Sequence, residues 1–204
     1  TIDVQSAAEP SVGSAGTIPA DPVMQVEGGR KYEMKRVVGT GGMGVIYEAV
    51  DLKCERPVAI KVLLDERRQQ QGAFDRFTQE AKITAQLEHP NIVPVHELGV
   101  EARGNVFYSM KLIHGVTLAE VLIGIRKGDQ TVIEKYPLGR LLTIFQKLCD
   151  AVAFAHGRGV IHRDLKPSNV MIGEYGEVLV LDWGLAISGA FPPVLNAGPG
   201  GRPA

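Results

Sequence analysis

Val160-Ile161-His162-Arg163-Asp164-Leu165-Lys166-Pro167-Ser168-Asn169, followed after a short strand pattern by Asp182-Trp183-Gly184, is the stretch on which the reading of this chain turns. It sets a candidate base (Asp164), a cation (Lys166) and two oxygen side chains of the kind hard metal ions take (Asn169 and Asp182) on one loop and the turn just after it. Between them, residues 170–172 and 177–181 read as a hairpin about Glu174-Tyr175-Gly176. His162 is read as packing rather than reacting. His89, His96, His114 and His156 are scattered singly and make no metal constellation.

Working outward, the chain changes character twice. Residues 1–28 are rich in Ala, Ser, Pro and Gly without a sustained period, and read as a disordered arm. Residues 32–38 and 45–50 then read as strands joined by Gly39-Thr40-Gly41-Gly42-Met43-Gly44, with a third strand over residues 57–63. A helix is predicted over residues 73–87, broken by His89-Pro90 because proline disfavours helical geometry in the residue before it. Strands at 92–98 and 106–112 follow, then helices at 118–126 and 138–156. The last of these carries a stripe at Leu141, Phe145, Leu148, Val152 and Ala155 and stops at Gly157 and Gly159. Strands first and helices afterwards argue an α+β chain of two lobes, residues 29–115 and 116–188, with a Gly/Pro-rich tail over 189–204.

The composition narrows the class. With 204 residues, 45% hydrophobic and 22% charged, the chain reads as an ordinary globular protein. A formal net charge of -1 gives no global drive toward nucleic acid or membrane. Cys54 reads as a free thiol in a polar stretch and Cys149 as a small core residue, rather than as a disulfide or metal site. No apolar run is long enough to span a bilayer and no signal segment opens the sequence, which predicts a soluble, cytoplasmic chain. A longer parent protein could still carry a membrane segment.

The glycine run fits G-x-G-x-x-G, which also describes dinucleotide-binding turns. Those need a helix after the glycines, whereas Val45-Ile46-Tyr47-Glu48-Ala49-Val50 is strand-like, so the run is a hairpin turn. Val58-Ala59-Ile60-Lys61 alternates with period two and places Ala59 and Lys61 on one strand face. On the predicted helix, Phe77, Glu80, Thr84 and Leu87 share a face. A carboxylate there is either a boundary residue or the partner of a cation, and Lys61 is the candidate.

The eight residues His162 to Asn169 resemble the catalytic loop of serine/threonine protein kinases, and Val58-Ala59-Ile60-Lys61 behind a glycine loop resembles their nucleotide lysine motif. The resemblance implies a two-lobed kinase fold, ATP and Mg²⁺ as cofactors, and a protein substrate bearing Ser or Thr. Asp164 would accept the substrate hydroxyl proton, Lys166 would neutralise the transferring phosphate, and Asn169 and Asp182 would hold the metal ions. Lys61, oriented by Glu80, would reach the phosphates, which the backbone of Gly39, Thr40, Gly41, Gly42, Met43 and Gly44 would cover. By position in the family pattern, Met110 gates the adenine pocket, Lys111 and Ile113 belong to the hinge, Ile46 and Ala59 form the roof and Met171 the floor. Lys166 two residues after Asp164 favours serine/threonine over tyrosine transfer. Trp183 stands where the family usually has phenylalanine; it needs more room and a partner for its N–H.

The resemblance runs from about residue 32 to residue 186 and reaches no Ala-Pro-Glu motif. From that, the apolar stripe of residues 138–156 is expected to expose a patch, Arg163 to lack a phosphorylated loop to hold, and Ser188 not to be an activating phosphosite. Three readings compete: an incomplete but genuine serine/threonine kinase, a nucleotide-binding regulatory module or inactive remnant without transfer, and a small-molecule phosphotransferase on a related scaffold. Asp164-Leu165-Lys166-Pro167 argues against the third, and the first is preferred.

Overall fold

In the computed structural model, residues 23–26, 29–40, 44–63 and 72–189 are described. Gly41, Gly42, Met43 and the predicted tail beyond Gly189 lie outside them, as does the predicted arm up to residue 22.

Alternating β-branched and polar residues build the first lobe. Its antiparallel strands are β1 (Val23–Val26), β2 (Gly29–Thr40), β3 (Gly44–Asp51), β4 (Arg56–Leu63), β5 (Val95–Val100) and β6 (Val106–Lys111). They form one sheet in the order β1-β2-β3-β4-β6-β5. The register sets Lys61 opposite Ile46 on one side and Tyr108 on the other, with Ala59 opposite Met110. One sheet face is lined by Tyr32, Met34, Tyr47, Ala49, Val58, Ile60 and Phe107. The other, with Leu63, Val106 and Tyr108, packs on Phe77 and Ala81 of helix α1 (Ala73–Gln86). Period two therefore places Lys61 on the helix-facing side.

β1 corrects the predicted arm at its end. Val23–Val26 pairs with β2 and buries Met24 in the sheet core. Four residues are too few to show a strand period alone, and pairing across β2 is what orders them. A second correction concerns residues 92–94. β5 begins at Val95, and Ile92 instead makes a parallel bridge to Val180 in the second lobe.

In that lobe β7 (Gly115–Thr117) pairs with β9 (Val170–Gly173), and β9 with β10 (Val178–Val180). Thr117 opens α2 (Leu118–Arg126) with a capping box: Glu120 N–H donates to Thr117 Oγ1 at 3.1 Å and Thr117 N–H to Glu120 Oε2 at 2.6 Å. The short α3 (Gln130–Lys135), capped by Asp129, was not anticipated. α4 (Leu138–Gly157) buries Ile144, Ala151 and Ala155, with Leu141 and Leu148 packed half-buried beside them, so the predicted stripe holds at Leu141, Leu148 and Ala155 and shifts by one position at Phe145 and Val152. Phe145, predicted to be in the stripe, is 62% exposed and forms an apolar surface with Leu138 and Leu142. Cys149 is exposed on the same helix, not in the core. β8 (Val160–Ile161) pairs with β11 (Ile187–Ser188), which ties the segment after Asp182 back to the start of the loop from His162 to Asn169. Among the described residues no helix is long and apolar enough to cross a membrane.

Candidate active site

The site forms where β4, α1 and the loop after β8 converge on one cleft of about 570 Å³, a volume suited to a nucleotide-sized molecule. On the first-lobe side, Lys61 Nζ donates to both carboxylate oxygens of Glu80, at 2.7 and 2.9 Å. The two side chains are 8% and 1% exposed, so each charge depends on the other for compensation. Tyr108 joins them: its hydroxyl donates to Glu80 Oε1 at 2.8 Å. Burial, then the neighbouring Glu80 charge, pushes the Tyr108 phenol well above its ordinary range, so it stays a protonated donor.

On the second-lobe side, the loop is braced by its histidine. The Asp164 N–H donates to His162 Nδ1 at 3.3 Å, and His162 Nε2 lies 2.9 Å from the Leu181 carbonyl. An accepting Nδ1 leaves Nε2 as the protonated nitrogen that donates to that carbonyl. The imidazole packs on Trp183 with ring centroids 4.5 Å apart. His162 thus holds the loop to the strand leading into Asp182, as the packing reading expected. Trp183 is fully buried in a core that Ile83, Leu87 and Ile92 of the first lobe share with Ala151 and Ala155 of α4, and its indole N–H finds no acceptor among the described residues. The room tryptophan needs is present; among the described residues the partner is not.

Asn169 closes the loop through a short 3₁₀ turn, Pro167–Asn169. Its Nδ2 donates to the Asp164 carbonyl at 2.9 Å and to Asp164 Oδ2 at 3.3 Å, while Leu181 N–H donates to the Asn169 carbonyl at 2.9 Å. With Nδ2 used internally, the amide oxygen is the end left to act as a donor atom to a cation. Lys166 Nζ donates to Asp164 Oδ2 at 2.7 Å. That hydrogen bond from Lys166 holds the Asp164 carboxyl below the usual carboxylate range, and Asp164 in turn raises Lys166. Arg163 (φ 65°) and Asp182 (φ 56°) both adopt left-handed backbone conformations, uncommon for residues with a side chain. Arg163 Nε donates to the Leu185 carbonyl at 2.6 Å.

Of the residues singled out from sequence, Gly39, Thr40, Ile46, Lys61, Glu80, Met110, Asp164, Asn169 and Asp182 line this one cleft. Gly44, Ala59, Lys111, Ile113, Lys166 and Met171 are not among its walls. Ala59 is buried between strands opposite Met110. The Lys111 side chain turns outward to Glu177 Oε1, 3.4 Å away. Met171 sits half-buried in β9 opposite Thr117. Gly44 has a structural reason to be glycine besides the phosphate approach expected of it. A Cβ there would come within 2.1 Å of the Val62 carbonyl oxygen, so the close passage of β4 demands it. Tyr108 and Arg76 also line the cleft and were missed. Tyr108 could have been found, since it lies two residues before Met110 on the same strand face.

A family model, protein kinase domain, matches residues 32–190. The chain belongs to the protein kinase family. This kinase domain is 40% identical over 162 residues to the serine/threonine-protein kinase PknD of Chlamydia felis, a match taking in 78% of the chain and 17% of that protein. The PknD proteins of Chlamydia pneumoniae (38% over 161 residues) and Chlamydia trachomatis serovar D (40% over 161 residues) match over the same shares. The match therefore spans about 17% of the length of these curated relatives. The α+β architecture with an antiparallel sheet in its first lobe is that of a partial kinase fold.

Proposed function

We propose that this kinase domain transfers the terminal phosphoryl group of ATP to serine or threonine hydroxyls of a protein substrate. The observation that carries the reading is the shared cleft: a buried Lys61–Glu80 pair faces Asp164, Asn169 and Asp182 across it. Lys61 is a fixed positive charge, made rigid by a bidentate partner, and suits the α- and β-phosphates. Met110 and Ile46 supply apolar surface for a base at the inner end. Among the described residues no three His, Cys, Asp or Glu cluster as a ready-made metal cage. Mg²⁺ seldom uses one; it binds through one or two protein oxygens plus substrate phosphates, which is what Asp182 and the Asn169 amide oxygen can offer. Bound there, Mg²⁺ would neutralise charge developing on the phosphates.

Asp164 would orient the attacking hydroxyl and take its proton. A carboxylate held low by Lys166 is a weak base, so the proton would move late, once attack has made the hydroxyl acidic. Lys166, already on Asp164 Oδ2, would lie beside the moving phosphate. Its place two residues after Asp164 supports a serine/threonine acceptor. PknD relatives are serine/threonine-protein kinases by name, which supports the same reading. We place the reaction in the cytoplasm, where ATP is plentiful.

Phosphate transfer from labelled ATP with Mg²⁺, to the chain itself and to a generic serine/threonine substrate, tests this beside Asp164→Asn. The wild type should transfer, and Asp164→Asn should bind ATP yet lose transfer by at least about 100-fold. Binding without transfer by the wild type would instead indicate a nucleotide-binding regulatory module.

A further inference from the structure

Tyr108 touches α1 at two points on one helix face. Its hydroxyl donates to Glu80 Oε1 at 2.8 Å, and its ring packs on that of Phe77, centroids 5.2 Å apart. Phe77 and Glu80 are three residues apart, so these contacts together set both the rotation of the helix and its distance from β6. Lys61 Nζ lies 5.7 Å from the Tyr108 ring centroid, and Lys61 and Tyr108 are direct cross-strand neighbours. Glu80 Oε1 is therefore shared: Lys61 approaches from β4 and Tyr108 from β6. A carboxylate held by Lys61 alone could follow that flexible side chain toward a bound phosphate. With a phenol fixed in the sheet as second donor, it cannot.

We propose that Tyr108 is a positioning residue, which holds α1 where Glu80 orients Lys61 and so keeps the nucleotide lysine ready before ATP arrives. This rests on the kinase reading above but concerns a residue that reading does not use. The phenol remains a donor across the working pH range because it is buried beside a carboxylate.

Tyr108→Phe isolates the hydroxyl, since it keeps the ring on Phe77. We expect about a tenfold fall in kcat/KM for phosphate transfer, the scale of a lost hydrogen bond to a charged group. A double-mutant cycle with Glu80→Ala separates positioning from packing. If Tyr108 acts through Glu80, the second substitution should cost nothing further once Glu80 is gone. Effects that simply multiply would overturn the proposal, as would unchanged kcat/KM in Tyr108→Phe. Mg-ATP affinity by calorimetry is measured on the same four proteins. If the wild type binds Mg-ATP but transfers nothing, the kinase reading fails, and the cycle is then read from affinity. Coupling there would sustain the role of Tyr108, and its absence would end it.

Discussion

Lys61 and Glu80 show how a single residue can serve stability and chemistry at once. Both are buried, and Glu80 is all but inaccessible, so removing the lysine strands a carboxylate. Lys61→Met should therefore abolish transfer and also destabilise the domain by about 3 kcal/mol, read as a lower denaturation midpoint without nucleotide. Lys61→Met combined with Glu80→Leu should recover most of that stability while remaining inactive. Asp164 carries a second residue-scale prediction. Its carboxyl lies below the usual range because Lys166 donates to it. Lys166→Met should let that value rise, since the charged form loses its partner. The acid limb of the kcat/KM profile should then move to higher pH, and a limb that stays put would detach Lys166 from the ionisation of Asp164. Gly44 makes the complementary point: the motif marked it as glycine, but one reason for it, the carbonyl of Val62, lay in the packing of another strand.

Among the elements, the β3–β4 hairpin depends on Asp51. Its Oδ1 accepts the backbone N–H groups of Lys53 at 3.1 Å and Cys54 at 3.2 Å, satisfying two donors in the turn. Burial pushes its carboxyl up, but the N–H groups of Cys54 and Lys53 outweigh that and leave it lowered. A lowered native value means stability present above the unfolded carboxylate range, around pH 4, and lost as pH falls through the native value. Asp51→Ala should cost about 1–2 kcal/mol in urea unfolding at neutral pH, with a smaller penalty as the solution is acidified. Because this hairpin carries β4 and Lys61, the loss should appear in transfer as well. α1 and α4 were readable as helices from their periodicity. The buried face of α4 differs from the predicted stripe at two places, Ile144 for Phe145 and Ala151 for Val152, because several apolar residues compete there and only the neighbouring strands decide between them.

Over the whole molecule, the two lobes are joined by backbone as much as by the cleft. Asn91 Nδ2 donates to the Val178 carbonyl at 2.9 Å, Val180 N–H to the Asn91 carbonyl at 2.8 Å, and Val93 N–H to the Val180 carbonyl at 3.3 Å. This seam fixes the first lobe to β10, the strand that leads into Asp182. Asn91→Ala removes one of its bonds and should lower stability by about 1–2 kcal/mol. Phe145→Ser, on the exposed face of α4, should stay within about 0.5 kcal/mol of the wild type by the same measurement. Equal effects would mean that the seam adds nothing beyond an ordinary surface position.

The strands β2 to β4 and β6, the long helices, the glycine loop, Lys61 and the loop from His162 to Asn169 could be read from the sequence, because each is a local pattern with its own period or chemistry. The same holds for the pairing of Lys61 with Glu80, since a helix-face carboxylate needs a cation. What tertiary structure alone decided has a common physical cause: contacts between segments far apart in the chain. Residues 23–26 become a strand only against β2, residues 92–94 leave their predicted strand to bridge Val180, and Tyr108 gains its place by lying across from Lys61 and beneath α1. Asp182 takes its left-handed conformation where β10 runs out and β11 is drawn back to β8. Aspartate tolerates that conformation better than most residues, but the pull of these strands is what selects it here.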